Sequence, residues 1–178
     1  REKRMHPQVY HSRDIQAWEQ RWFARQNSAY GLMQQAAWTI SQQLSTHFKA
    51  LLHQKDQIDK KSNFKIAVCC GAGNNAGDGY LVAKYLQQAG FSVDIYSSEL
   101  GPSASLAHAY QEALQAKLNI YSEFDFKHSY AVYIDALFGI GLNRELNDYW
   151  QNIIAQLNAQ AGLKIALDIP SGLAADTG

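Results

Sequence analysis

The sequence predicts an α/β domain: a mostly parallel sheet, covered by helices on both faces and preceded by two more helices. Three observations carry this. From Lys65 onward, short apolar runs alternate with amphipathic segments, which is the βαβ signal of a parallel sheet. The runs themselves, Ile66-Ala67-Val68-Cys69-Cys70 among them, are apolar at successive rather than alternate positions, as strands are when helices cover both sides. Two amphipathic segments stand ahead of the first run.

In chain order, Ser12 can cap a helix reaching about Gln26, where Ile15, Trp18, Trp22 and Phe23 recur at the three- and four-residue spacing of one apolar face. After a break near Gly31, residues 32–48 carry a second stripe (Leu32, Ala36, Ile40, Leu44, Phe48), and residues 53–63 read as a polar loop. Strands are then expected at 65–70, 92–97, 131–136 and 163–168, with helices at 78–89, 103–118 and 147–158 between them. Residues 1–11 read as a tail and 12–178 as one domain. Residues 169–178 leave the last strand without a closing helix, so the domain is expected to be cut short there.

A chain of 178 residues buries roughly 70% of its unfolded surface around one core. With 47% hydrophobic and 18% charged residues it is too apolar to be disordered. Lys plus Arg balance Asp plus Glu at 16 each, so no overall field attracts nucleic acid or an anionic membrane. No apolar run approaches the roughly 20 residues that span a bilayer, and a cytoplasmic location is expected. Cys69 and Cys70 are adjacent in a strand, point to opposite faces, and read as small core residues rather than a disulfide or a shared metal site.

The chemistry concentrates in three segments. Gly71-Ala72-Gly73-Asn74-Asn75-Ala76-Gly77-Asp78-Gly79 joins a strand to a helix, where glycines let a ligand approach the backbone and the helix N-terminus offers N–H groups to a phosphate. A glycine-rich turn with Asp78 stabilising the first helical turn accounts for the same residues. Two details favour more than a phosphate cradle. The second strand ends in Ser97-Ser98, where an ordinary dinucleotide fold has an acid for the ribose. Asn74, Asn75 and Asp78 also place amides and a carboxylate where a plain pyrophosphate cradle uses glycine and small residues, and a carboxylate facing phosphates repels them. Asp135 and Asp168 end two other strands, and carboxyl ends of parallel strands share one edge, so Asp78, Asp135 and Asp168 are expected to converge. Clustered carboxylates, amide oxygens and loop carbonyls suit a hard cation, and a crowded carboxylate can shuttle protons. The six histidines lack metal-ligand spacing, and no Ser-His-Asp or Cys-His arrangement stands out.

Together with Asp135-Ala136-Leu137-Phe138-Gly139-Ile140-Gly141 and Asp168-Ile169-Pro170-Ser171-Gly172, the glycine-rich segment resembles the NAD(P)H-hydrate epimerases, found also as the N-terminal half of bifunctional nicotinamide-hydrate repair enzymes. The resemblance covers the chain from about Ser12, and Ala76 departs from it where the family commonly has glycine. It implies a Rossmann-like three-layer αβα fold, a homodimer, a potassium ion and, where the protein is longer, an ADP-dependent dehydratase domain. The substrate it implies is the S or R hydrate of NADH or NADPH. By motif position that substrate is held by Asn74, Asn75, Ala76, Gly77 and Asp78, by Gly139, Ile140, Gly141, Leu142, Asn143, Arg144 and Glu145, and by Asp168. Potassium takes Asn75, Asp135 and Ser171.

The hydrate is a carbinolamine, so epimerisation needs only an acid to release water and its re-addition from the other face. Asp168 is the expected proton shuttle and Asp78 the second candidate. Two other readings remain open: an NAD(P)-dependent oxidoreductase using the same loop, and a non-catalytic dimerisation or partner-binding module, which would have no reason to keep three aspartates.

Overall fold

Ser28 accepts the Gly31 N–H on its hydroxyl (2.8 Å) and the Leu32 N–H on its carbonyl (3.2 Å), and so starts a helix that runs through Gly31 rather than breaking there. This helix, α1 (Ala29–Gln54), opens the domain in a computed structural model that describes residues 17, 28–54, 64–126, 128–142 and 145–173. The helix expected from Ser12 to Gln26 lies outside the described residues apart from Ala17, which is helical. The buried face of α1 is Met33, Ala37, Ser41, Ser45 and Phe48, one position round from the expected stripe, and Ala36 is exposed. Small residues won because α1 lies directly on the next helix, α2 (Asn74–Gln88). Ser41 avoids an unpaired buried hydroxyl by donating to the Trp38 carbonyl (2.8 Å).

The remaining elements are β1 (Lys65–Cys70), β2 (Ser92–Ser97), α3 (Ala104–Gln115), β3 (Asn119–Tyr121), β4 (Val132–Ala136), α4 (Asp148–Ala159) and β5 (Leu163–Ala166). All sheet pairings are parallel, and the order is β3-β2-β1-β4-β5. Side chains alternate between two cores. Ile66, Val68 and Cys70 face α1, α2 and α3, whereas Ala67 and Cys69 face α4 and an aromatic layer of Tyr96, Phe124, Phe126, Tyr130 and Tyr133. Three layers result, as expected. Both thiols are free and buried, and burial pushes them well above their ordinary range, so they are inert packing groups.

Strand β3 was not expected. Helix α3 stops at Gln115 instead of 118 because Lys117 (φ 59°) adopts the left-handed conformation and Leu118 N–H bonds back to the Ala113 carbonyl (3.2 Å). α2 ends the same way at Gly90 (φ 94°), where glycine signals the stop in the sequence and lysine does not. Asp94 of β2 then holds the short strand, accepting from Asn119 Nδ2 (2.9 Å) and the Tyr130 hydroxyl (2.9 Å). Among the described residues no helix is long and apolar enough to cross a membrane.

Glu112 on α3 ties the first three helices together by accepting from Lys84 of α2 and the hydroxyl of Tyr30 on α1, whose ring stacks on His108 at 4.2 Å. Burial opposes its ionisation, but the Lys84 and Tyr30 hydrogen bonds and the Lys84 charge outweigh it and hold the carboxyl below its ordinary 4.5. A carboxyl depressed in the folded state gives its full stabilisation above the unfolded value, and that stabilisation fades as pH falls through the folded one. Tm is therefore expected to drop with acidification below pH 4.5, and Glu112→Gln should start lower and lose less over the same range. Parallel curves for the two proteins would show that Glu112 carries no such linkage.

Candidate active site

Strands β1 and β4 adjoin in the sheet, but the chain leaves β1 toward β2 and β4 toward β5, in opposite directions. Ligands of open α/β sheets bind at such a switch point, outside the carboxyl ends of the strands. The two turns here touch. Gly71 N–H donates to the Ala136 carbonyl (3.2 Å), and a Cβ on Gly71 would lie 2.1 Å from the Leu137 oxygen.

The glycine-rich segment is helical earlier than expected. α2 begins at Asn74, after an extended Gly73 (φ −102°, ψ −176°), so Asn74 to Gly77 form its first turn and Asp78 falls in the second. Glycine and asparagine read as loop formers, yet the first helical N–H groups need no intrahelical partner, so a helix start tolerates them. Asn74 is exposed and Asn75 half-buried at this positive end, while Ala76 and Gly77 are buried. A Cβ on Gly77 would come within 2.6 Å of the Met33 sulfur, so α1 supports the turn from beneath.

Asp135, buried in β4, is held by three uncharged donors. Its Oδ1 accepts from Leu137 N–H (3.1 Å) and the Ser171 hydroxyl (2.7 Å), and its Oδ2 accepts from Ser171 N–H (2.8 Å). None of these donors neutralises a carboxylate's charge. Phe138 N–H donates in turn to Ser171 Oγ (3.1 Å), and the Phe138 carbonyl accepts from Asn75 Nδ2 (2.7 Å). One chain of hydrogen bonds thus links α2, the turn after β4 and the segment after β5. Asp168 closes the group by accepting Ile140 N–H on Oδ2 (2.8 Å). Gly139 permits this, since a Cβ there would meet that Oδ2 at 2.4 Å and the Asn75 Cβ at 3.4 Å.

The fold therefore gathers Asn75, Asp135, Gly139, Ile140, Asp168 and Ser171. Gly141, Leu142 and Glu145 follow on the same loop, and Asn143 and Arg144 lie outside the described residues. Asp78 falls in the second turn of α2, and Asp78, Asp135 and Asp168 do not form a metal-holding trio. Among the described residues no three acidic, histidine or cysteine side chains could hold a metal together. What converges around Ser171 is the Asp135 carboxylate with an amide, a hydroxyl and main-chain groups, and Asp168 stands beside them on the Ile140 amide. That donor set fits a large monovalent cation better than a divalent ion, which draws on several carboxylates.

A cleft of about 840 Å³ adjoins this group over the carboxyl ends of β1, β2 and β3, and sequence reasoning missed it. Ser98, Glu99, Tyr110, Ile120, Tyr149 and Trp150 are among its walls. Trp150 meets the Phe138 ring edge-on at 4.9 Å, so cleft and hydrogen-bonded group share a wall. The available signals were Glu99 just past β2 and the Tyr149-Trp150 pair opening α4. Another hollow, about 460 Å³ beside Lys84, His108 and Glu112, lies on the helical face away from the strand ends.

Fold and site together define a Rossmann-like α/β domain with a candidate ligand site at its topological switch point. The chain belongs to the family described as YjeF-related protein N-terminus, whose model matches residues 29–178. It is 36% identical over 133 residues to the NAD(P)H-hydrate epimerase of Elusimicrobium minutum, covering 68% of this chain and 59% of that protein. With the NAD(P)H-hydrate epimerase of Limosilactobacillus fermentum it shares 32% over 149 residues, 83% of this chain and 66% of the other. With a bifunctional NAD(P)H-hydrate repair enzyme of Dictyoglomus turgidum it shares 36% over 129 residues, 70% and 25% respectively. The chain thus spans between a quarter and about two thirds of these relatives. The crystal structure of the yeast protein YNL200c superposes with a TM-score of 0.83 at 17% identity, covering 97% of this chain and 74% of the yeast one. The expected resemblance and fold are both borne out.

Proposed function

We propose that this chain epimerises the S and R hydrates of NADH and NADPH. The observation that carries the reading is the placement of Asp168, clamped by the Ile140 amide on a glycine-bearing loop beside Asn75, at the edge where a parallel sheet binds ligands. The hydroxyl at C6 of the hydrated ring sits next to the ring nitrogen. Protonation of that hydroxyl lets the nitrogen lone pair expel water, and the resulting iminium takes water back on either face. Electrons are neither gained nor lost. Asp168 gives the proton and recovers it, with Asp78 as the second candidate, while the turn from Asn74 to Asp78 and the loop from Gly139 to Glu145 hold the substrate.

A potassium ion would be held by Asp135, Ser171 and Asn75, with the neighbouring main-chain oxygens. When bound it supplies a fixed positive charge that orders the substrate loops. The homodimer implied by the resemblance and a cytoplasmic setting belong to the same proposal.

The reading is tested by incubating the protein with each hydrate separately and resolving S from R chromatographically. Rapid interconversion with no oxidised dinucleotide is the expected result. Formation of oxidised dinucleotide would favour the oxidoreductase, and no reaction in either direction would favour a binding module.

Potassium gives an independent readout. At 100 mM salt, a site with Kd near 10 mM would stabilise the fold by about 1.4 kcal/mol, or roughly 4 °C in Tm. Potassium chloride should therefore raise Tm over choline chloride in the parent protein and not in Asp135→Asn. Equal melting of the parent protein in both salts would count against an ion at Asp135.

A further inference from the structure

The cleft over β1, β2 and β3 has a charge pattern that the hydrogen-bonded group at Asp135 and Asp168 does not use. Among the described residues Glu99 is the charged one of its wall, and the other walls are serine hydroxyls, small residues and the flat or apolar faces of Tyr110, Ile120, Tyr149 and Trp150. Glu99 sits on a fixed loop. Ser98 N–H donates to the Cys70 carbonyl (3.2 Å) and Gly101 N–H to the Ala72 carbonyl (3.1 Å), which folds residues 98–101 back onto the turn after β1. Gly101 lies close against that turn, where a Cβ would come within 2.2 Å of the Ala72 oxygen. Ser97 is occupied with the Tyr80 hydroxyl and the Ser98 carbonyl.

We propose that this cleft seats the adenosine half of the dinucleotide, with Glu99 facing the ribose 2′ position and selecting the hydrate of NADH over that of NADPH. The inference rests on the proposed epimerase reading and names its preferred substrate. Three steps lead to it. A dinucleotide lying across a switch point puts its adenosine on the side of the second strand and its nicotinamide on the side of the fourth, and here Asp168 stands on that second side. The volume and aromatic walls suit a purine and its ribose. A carboxylate just past the second strand accepts hydrogen bonds from a ribose diol but repels a phosphate there, and among the described residues no lysine or arginine lines this cleft to offset it. The acid that the sequence lacks at Ser97-Ser98 is supplied by Glu99, from the loop.

The test compares kcat/KM for the two hydrates in the parent protein, Glu99→Gln and Glu99→Arg, alongside binding of 5′-AMP and of adenosine 2′,5′-bisphosphate. The parent should prefer the NADH hydrate by about tenfold or more, the size expected of a like-charge contact at a binding site. The preference should shrink in Glu99→Gln and reverse in Glu99→Arg, mainly through KM. 5′-AMP should bind the parent, and adenosine 2′,5′-bisphosphate should bind well only after Glu99→Arg. Ser122→Trp, an exposed substitution at the cleft mouth, should abolish 5′-AMP binding. Equal use of both hydrates in all three proteins, or 5′-AMP binding untouched by Ser122→Trp, would overturn the assignment. The fragments report on the cleft without turnover, so a chain that binds them in this order but epimerises nothing keeps the cleft and loses the enzyme.

Discussion

Asp168→Asn should lower kcat for hydrate epimerisation by about a hundredfold to ten-thousandfold, the range that a positioned general acid contributes, while KM and Tm stay close to the parent values. The split follows from the contact that holds the side chain. Asp168 uses Oδ2 to accept the Ile140 N–H at 2.8 Å, and an asparagine carbonyl can accept the same bond with the same shape. The loop at Gly139 keeps its position, because the amide is no larger than the carboxylate that glycine already accommodates. What asparagine cannot do is hand a proton to the leaving hydroxyl and take it back. Asp168 is exposed, so its replacement leaves no buried group unsatisfied and stability should change by less than about 0.5 kcal/mol. The companion variant Asp78→Asn separates the two candidates. A large loss there with Asp168→Asn unaffected would exchange their roles, and full activity in both would remove aspartate from the proton transfer.

How far this site is legible in the sequence depends on which contacts are local. β1 and β2 were legible to the residue, at 65–70 and 92–97, because apolar runs there are bounded by polar or glycine residues on both sides. The carboxyl-end aspartates were legible for a topological reason, since parallel strands deliver their ends to one edge whatever their order. The strand order itself, which sets Gly71 against Leu137 and makes the switch point, is non-local and left no local mark. β3 was hidden by a lysine doing at Lys117 what glycine does at Gly90. The cleft was hidden because its walls are one or two residues from each of several elements, which no linear motif collects. The knot of Ser171 on Asp135 was expected only through the resemblance. No sequence spacing reveals that a hydroxyl 36 residues away will donate to a buried carboxylate.

The glycine turn offers the second large effect, since Gly71 and Gly73 stand two residues apart for different physical reasons. A Cβ at Gly71 would meet the Leu137 carbonyl oxygen at 2.1 Å, its carbon at 2.9 Å and its Cα at 3.1 Å. These are backbone atoms of the neighbouring turn and cannot rotate aside, so Gly71→Ala must push the β1 and β4 turns apart. Overpacking of this kind costs about 1–3 kcal/mol, or roughly 3–10 °C in Tm for a domain of this size. The same displacement moves Leu137 and Phe138, whose N–H groups bond Asp135 and Ser171, so kcat should fall along with stability. A Cβ on Gly73, by contrast, would find nothing within 4 Å, and the backbone there is extended, a conformation that alanine adopts freely. Gly73→Ala should therefore melt within about 1 kcal/mol of the parent, the lost entropy of the unfolded glycine offsetting a poorer helix cap. If a phosphate of the substrate approaches the start of α2, that methyl group stands in its path, and KM should rise while Tm holds. Thermal melts and hydrate kinetics on the two variants thus distinguish a glycine required by the sheet from one required by the ligand. A Gly73→Ala protein with unchanged KM would move the phosphates away from this helix end.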